Sequence, residues 1–166
     1  MEINLDQAIK LQNAGKLEEA EIIYSEILKT QSENIIANHN LGVLFYSLGR
    51  LEEAKIKFDK TKKLKPDFPD VYNNTGNVCK KLGKDDEAIK NYKKAIELKS
   101  DYVDAYFNLG TIFKDLGRFN ESEVSFKKVT ELKPNLFKAW NNLGEIFFML
   151  KTVSYTHLTL PTMRSV

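Results

Sequence analysis

Apolar residues recur at steps of three and four along most of the chain, as in Ala88, Ile89, Tyr92, Ala95, Ile96 and Leu98. That is the period of an amphipathic helix and not the alternation of a strand. The pattern also repeats on a longer scale. Gly42, Gly76, Gly110 and Gly144 stand 34 residues apart, within HNLGVLF, NNTGNVC, FNLGTIF and NNLGEIF. Gly15, Gly49, Gly83 and Gly117 form a second ladder at the same spacing. Ala20, Ala54, Ala88 and Ser122 form a third, each followed four residues later by an aromatic: Tyr24, Phe58, Tyr92 and Phe126. Three ladders at one period predict an array of repeats, each made of two helices and a turn.

Each ladder implies a physical role. A glycine of the second ladder falls just past the first helix, where a left-handed cap costs little without a side chain. Pro66 and Pro134 are expected to close second helices, with Asp67, Asp101 and Asn135 as candidate N-caps for the helices that follow. Glycine inside a helix costs about 1 kcal/mol relative to alanine. Gly76 and Gly110 therefore imply a close approach of a second helix, and the expected contact is with a small residue such as Ala88. Tyr72, Tyr106 and Trp140, with Phe45, Cys79, Phe113 and Phe147 on the same helices, are expected to supply the bulk of the core. Glu53 with Lys57, Asp86 with Lys90, and Glu123 with Lys127 are acid-before-base pairs suited to outer faces.

These residues resemble the tetratricopeptide repeat family, whose helix-turn-helix unit places aromatic, Leu-Gly, aromatic, Gly, Ala, aromatic and Pro at set positions. The resemblance implies an all-α solenoid, a right-handed superhelix of helix pairs. The units are 1–34, which is degenerate, then 35–68, 69–102 and 103–136, with 137–151 as the first helix of a fifth. Departures are Asn4 and Asn38 for aromatics, Ala8 for the first glycine, Thr75 for leucine, Ser122 for alanine and Lys151 for the turn glycine.

The helical pattern stops at Thr152. The string VSYTHLTLPT matches an in-frame translation of a transposase adapter used in DNA library preparation, so residues 152–166 are expected to be a non-native, disordered tail. On that reading the natural sequence continues past a truncated fifth repeat.

Composition narrows the chemistry. Lys+Arg 25 against Asp+Glu 23 gives a net charge of +2, too little to draw the chain to nucleic acid or an anionic membrane. A single cysteine, Cys79, excludes a disulfide framework within the chain and a cysteine-based zinc cluster. It occupies the place of Phe45 and Phe113, which favours packing over reactivity. His39 is the one histidine outside the tail and reads as a surface residue. No nucleophile motif or phosphate loop is present. The expectation is a non-enzyme with no cofactor and no metal. The start, MEINLDQAIKLQ, lacks an apolar core of signal-peptide length, so cytoplasmic is the default.

What remains is a binding surface. By the resemblance, first helices line a concave groove that takes a peptide. The groove candidates carried over are Ile36, His39, Val43 and Tyr46; Asp70, Asn73, Asn77, Lys80 and Lys81; Asp104, Phe107, Thr111, Lys114 and Asp115; and Lys138, Asn141, Glu145, Phe148 and Met149. Their charges balance, which argues against nucleic acid. Asn40, Asn74, Asn108 and Asn142 repeat within this face and resemble the asparagine ladder of O-linked N-acetylglucosamine transferase repeat domains. Amides can hold peptide main chain independently of sequence, or can cap and pack locally. The expected function is a non-catalytic protein-interaction module with a protein or peptide partner. The alternative is the substrate-presenting arm of a larger enzyme such as a glycosyltransferase. Truncation would also leave Trp140, Leu143, Phe147 and Phe148 uncovered, a route to self-association through the last helix.

Overall fold

The structure, a computed structural model, describes residues 4–158, with side chains through Thr152. All regular structure among these residues is α-helical, and it divides into two compact units. The first holds α1 (Leu5–Asn13), α2 (Leu17–Thr30), α3 (Ile35–Ser47), α4 (Leu51–Leu64), α5 (Pro69–Lys81) and α6 (Asp85–Leu98). The second holds α7 (Val103–Asp115), α8 (Phe119–Leu132) and α9 (Phe137–Leu158).

The turns follow from the glycines. Gly15, Gly49, Gly83 and Gly117 take φ of 77°, 75°, 70° and 71°, the left-handed region that a β-carbon disfavours. One residue on, the backbone N–H of Lys16, Arg50, Lys84 and Arg118 donates back to the carbonyl of Leu11, Phe45, Cys79 and Phe113, at 2.9, 2.8, 2.9 and 2.8 Å. Each turn thus satisfies a carbonyl that the helix end would leave orphaned.

The starts differ from expectation. Phe68 and Tyr102 hold the N-cap positions of α5 and α7, without a side-chain cap, while Asp67 and Asp101 lie one residue too early. Pro69 at the first turn of α5 compensates, since its fixed φ suits a helix start. Side-chain caps appear instead at Asn4, which accepts from the Asp6 N–H at 2.8 Å, and Asn34, which accepts from the Ala37 N–H at 3.0 Å. Glu53 also departs from its expected partner: it pairs with Arg50 at 2.6 Å, and Arg50 reaches Glu21 as well. Glu123 and Lys127 pair as expected, at 2.6 Å.

The core shows why the mid-helix glycines are needed. A β-carbon on Gly42, Gly76 or Gly110 would lie 2.6, 2.5 or 2.9 Å from a ring carbon of Phe58, Tyr92 or Phe126. The expected contact of small against small is therefore corrected: the glycine receives a large ring from the second helix. The small residue four positions before the ring lies beside it. At Ser122 its hydroxyl donates to the Gly110 carbonyl at 2.6 Å, so the polar substitution is fully satisfied. Two other polar departures are likewise paired inside the core. Asn38 donates to the Ser32 and Asn34 carbonyls at 3.0 and 2.9 Å, and Thr75 donates to the Val71 carbonyl at 2.7 Å.

The end of the chain carries two corrections. Phe45, Cys79 and Phe113 are buried as expected, but Phe147 and Trp140 are 49% and 52% exposed. Their side of α9 meets no second helix among the described residues, and Gly144 has nothing within 4 Å of a β-carbon. Second, α9 does not stop at Lys151 but runs to Leu158. No proline or glycine stands between Thr152 and Leu158 to break it, and the Thr152 hydroxyl donates to the Met149 carbonyl at 2.8 Å. The disorder expected beyond falls on residues 159–166, outside the described residues.

Candidate functional site

In the first unit the first helices lie side by side, α3 touching both α1 and α5, and so present one common face. Its centre is a chain of uncharged hydrogen bonds. The Tyr24 hydroxyl donates to Gln12 Oε1 at 2.8 Å, and the Asn40 amide bonds that same hydroxyl. Asn40 Oδ1 is 3.2 Å from His39 Nδ1, and Asn74 Nδ2 is 3.1 Å from His39 Nε2. One tautomer serves both contacts: Nδ1–H donates to Asn40 while Nε2 accepts from Asn74. Four helices, α1, α2, α3 and α5, are joined by this relay.

Burial sets the protonation states along it. Desolvation pushes the Tyr24 phenol above its ordinary value, with the Asn40 bond opposing. Desolvation likewise pulls the His39 imidazole below its ordinary value, against the Asn40 bond and the nearby Asp70 charge. The His39 ring also packs on Phe68 and Phe58, with centroids 4.9 and 5.9 Å away. His39 is thus a neutral, half-buried hub and not the surface residue its isolation in the sequence suggests. A signal for the relay exists in the sequence: Tyr24 and Tyr92 stand in a ladder that Phe58 and Phe126 also fill, and a buried hydroxyl requires a partner. Tyr92 meets that requirement by donating to Asn77 Oδ1 at 2.9 Å.

Around the relay the face is mixed. Ile36 is 51% exposed at the start of α3. Tyr46 and Val43 are half-buried, and Lys81 Nζ sits 4.2 Å from the Tyr46 ring centroid, within cation–π range. Lys80 and Asp70 are half-buried on α5. Asn73 is only 5% exposed and belongs to the packing beneath this face.

The second unit is organised by charge. Lys114 Nζ donates to Asn142 Oδ1 at 2.5 Å and to Glu145 Oε2 at 2.7 Å, while Asn142 Nδ2 donates back to the Lys138 carbonyl at 2.7 Å. Phe107 meets Phe126 edge-on with centroids 5.3 Å apart. Thr111 returns its hydroxyl to the Phe107 carbonyl. Asn108 is half-buried; Asp104, Asp115, Lys138, Asn141, Phe148 and Met149 are exposed.

No group of histidine, cysteine or acidic side chains among the described residues is placed to hold a metal ion. Cys79 is fully buried, its thiol pushed up by desolvation with the Glu87 charge adding to it. No described helix is long and apolar enough to cross a membrane.

The family described as tetratricopeptide repeat matches residues 5–69 and 103–136, and that described as TPR repeat matches 76–117. No curated protein matches in sequence. Among solved structures, a MamA protein is 22% identical with a TM-score of 0.81, covering 92% of this chain and 86% of its own. YrrB, described as a TPR protein with an unusual peptide-binding site, is 25% identical with a TM-score of 0.74, covering 89% and 76%. The first TPR of Spaghetti (RPAP3), bound to the HSP90 peptide SRMEEVD, is 26% identical with a TM-score of 0.69, covering 72% and 95%.

Proposed function

We propose, from the premise that the chain is built of tetratricopeptide repeats, that it is a protein-interaction module which takes a peptide segment on the first-helix face of its first unit. The observation that carries this reading is the relay through Asn40, His39 and Asn74. It stiffens that face without charging it and sets amides between an exposed aliphatic side chain, Ile36, and the cation-capped Tyr46. A half-buried surface of this kind offers donors and acceptors to main chain and apolar area to side chains. The peptide bound in one similar structure and the peptide-binding site described for another support the class of partner. In the second unit the Lys114–Glu145–Asn142 cluster gives the corresponding face a fixed polar edge.

The test is selection of binders from a random peptide library against the full chain, followed by calorimetric titration of the best. Asn74→Ala should weaken binding by about 3- to 10-fold, the worth of one hydrogen bond at about 0.5–1.5 kcal/mol. Ile22→Ala on α2, away from this face, should not. Binders indifferent to Asn74→Ala and Asn40→Ala, in variants whose melting curves stay cooperative, sink the reading. The adapter reading of residues 152–166 is a proposal of a different kind, decided by resequencing the source DNA past codon 151.

A further inference from the structure

We infer that the first-helix face of the first unit selects an extended segment that carries a cationic residue and, five residues along, an acidic one. The inference rests on the peptide-binding reading above and names the chemistry of its ligand. Two contacts fix the frame. Asn74 Nδ2 meets His39 Nε2 at 3.1 Å, and Lys81 Nζ lies 4.2 Å from the Tyr46 ring centroid. Both join residues 35 positions apart, so α3 and α5 lie side by side, run in the same direction and keep one register along their length.

In that frame the charges separate. Asp70, Lys80 and Lys81 are the only Asp, Glu, Lys or Arg residues of α3 and α5, the acid in the first turn of α5 and the two lysines in its last. Between these ends lies the neutral relay of His39, Asn40 and Asn74. Asp70 stands close enough to His39 for its charge to act on the ring, and Ile36, half-exposed at the same end, offers apolar area to the stem of a bound lysine or arginine. Lys65, on the loop ahead of α5, lies over the Phe68 ring, 5.2 Å from its centroid. At the far end Lys81 is exposed and Lys80 half-buried. From Asp70 to Lys81 the helix rises by about 16 Å, a span that an extended chain covers in about five residues. The amides both donate and accept, so chain direction is free and the spacing of the charges carries the selection. Acid first and base last also suits the helix dipole, so stability is not the readout that tests this assignment.

The probes are four hexapeptides, acetylated and amidated at their ends and rich in β-branched residues that disfavour helix. They are KVTVTE, its isomer VTKEVT with the charges adjacent, and the like-charged EVTVTE and KVTVTK. Each is titrated at low salt into the isotope-labelled full chain and followed by NMR, with the side-chain amide signals of Asn40 and Asn74 reporting occupancy of this face. KVTVTE should bind about 2- to 5-fold more tightly than each of the others, the worth of one exposed charge pair. The preference should shrink as salt is added. Asp70→Asn should abolish the preference over EVTVTE and keep that over KVTVTK, and the double variant Lys80→Gln with Lys81→Gln should do the reverse. A merely structural role for these charges would not produce that crossed pattern. Four peptides that move the Asn40 and Asn74 signals with equal affinity overturn the inference and leave the peptide-binding reading standing. So does a preference that survives both variants. Silence of those signals with every peptide overturns the inference together with that reading.

Discussion

Gly76 and Gly144 hold the same place in their repeats, each following an Asn-Asn-Leu or Asn-Asn-Thr run, yet their surroundings are opposite. Gly76 lies beneath the Tyr92 ring with no room for a methyl group, while Gly144 opens to solvent between Trp140 and Phe147. The difference teaches that this glycine is required by its neighbour and not by its own backbone, for both sit inside regular helix. Where the second helix is present the position is among the least tolerant in the unit. Where none covers it among the described residues, as at Gly144, the same residue is only a weak helix former.

Substitution by a large side chain should separate the two most sharply. Gly76→Leu is expected to destabilise by about 1–3 kcal/mol or more, because Tyr92 is buried and its hydroxyl is tied to Asn77, so the ring cannot swing aside. Gly144→Leu should instead leave stability unchanged or raise it by up to about 1 kcal/mol, the gain in helix propensity. Urea denaturation of both variants measures the contrast. Equal losses at the two sites would mean that Gly144 is covered after all.

That contrast also marks what was legible in the sequence. The helices, the left-handed turns at Gly15, Gly49, Gly83 and Gly117, and the period of the aromatic ladder follow from spacing, because each is fixed by a local rule or by a partner at constant offset. The direction of the glycine contact did not follow: spacing shows that something comes close but not whether alanine or the ring does. The caps failed for a related reason. An acidic residue just ahead of a helix suits an N-cap, but the helix begins one residue later than composition alone suggests, so Phe68 and Tyr102 take the position. Of the candidate face, the asparagine row was visible as a ladder. Its partners were not, since Asn40 reaches Tyr24 and Asn74 reaches His39 across separate helices, and no single helix period encodes those contacts.

A smaller effect should come from Tyr92→Phe. It keeps the ring over Gly76 and removes only the hydroxyl that donates to Asn77 Oδ1 at 2.9 Å. The expected cost is about 1 kcal/mol, that of one buried hydrogen bond, with the cooperativity of unfolding retained. Phe58 shows that the fold accepts a plain ring at this place, so a loss as large as that from Gly76→Leu would mean that the hydroxyl, and not the ring, holds the helix pair.

The smallest effect expected is a pH dependence, and its sign follows from His39. In the folded chain the neutral ring donates from Nδ1 to Asn40 and accepts at Nε2 from Asn74, while desolvation pulls its pKa below the ordinary value near 6.5. The unfolded chain therefore binds more protons than the folded one as pH falls past about 6.5, and stability must decline with acidification through that region until the folded value is passed. Protonation would also turn Nε2 into a donor facing the Asn74 amide nitrogen, so the relay would break at α5. Asp59, whose carboxyl is held below its ordinary value by Lys62 and Lys55 against the cost of burial, loses its contribution only at much lower pH and stays outside this window. Urea midpoints measured between pH 7.5 and 5.5 should fall for the native chain and fall less for His39→Gln, which keeps an amide at the hub but cannot titrate. Identical slopes for the two would show that the imidazole takes up its proton in place, and that the first-helix face is held by its rings on Phe58 and Phe68 and not by the relay.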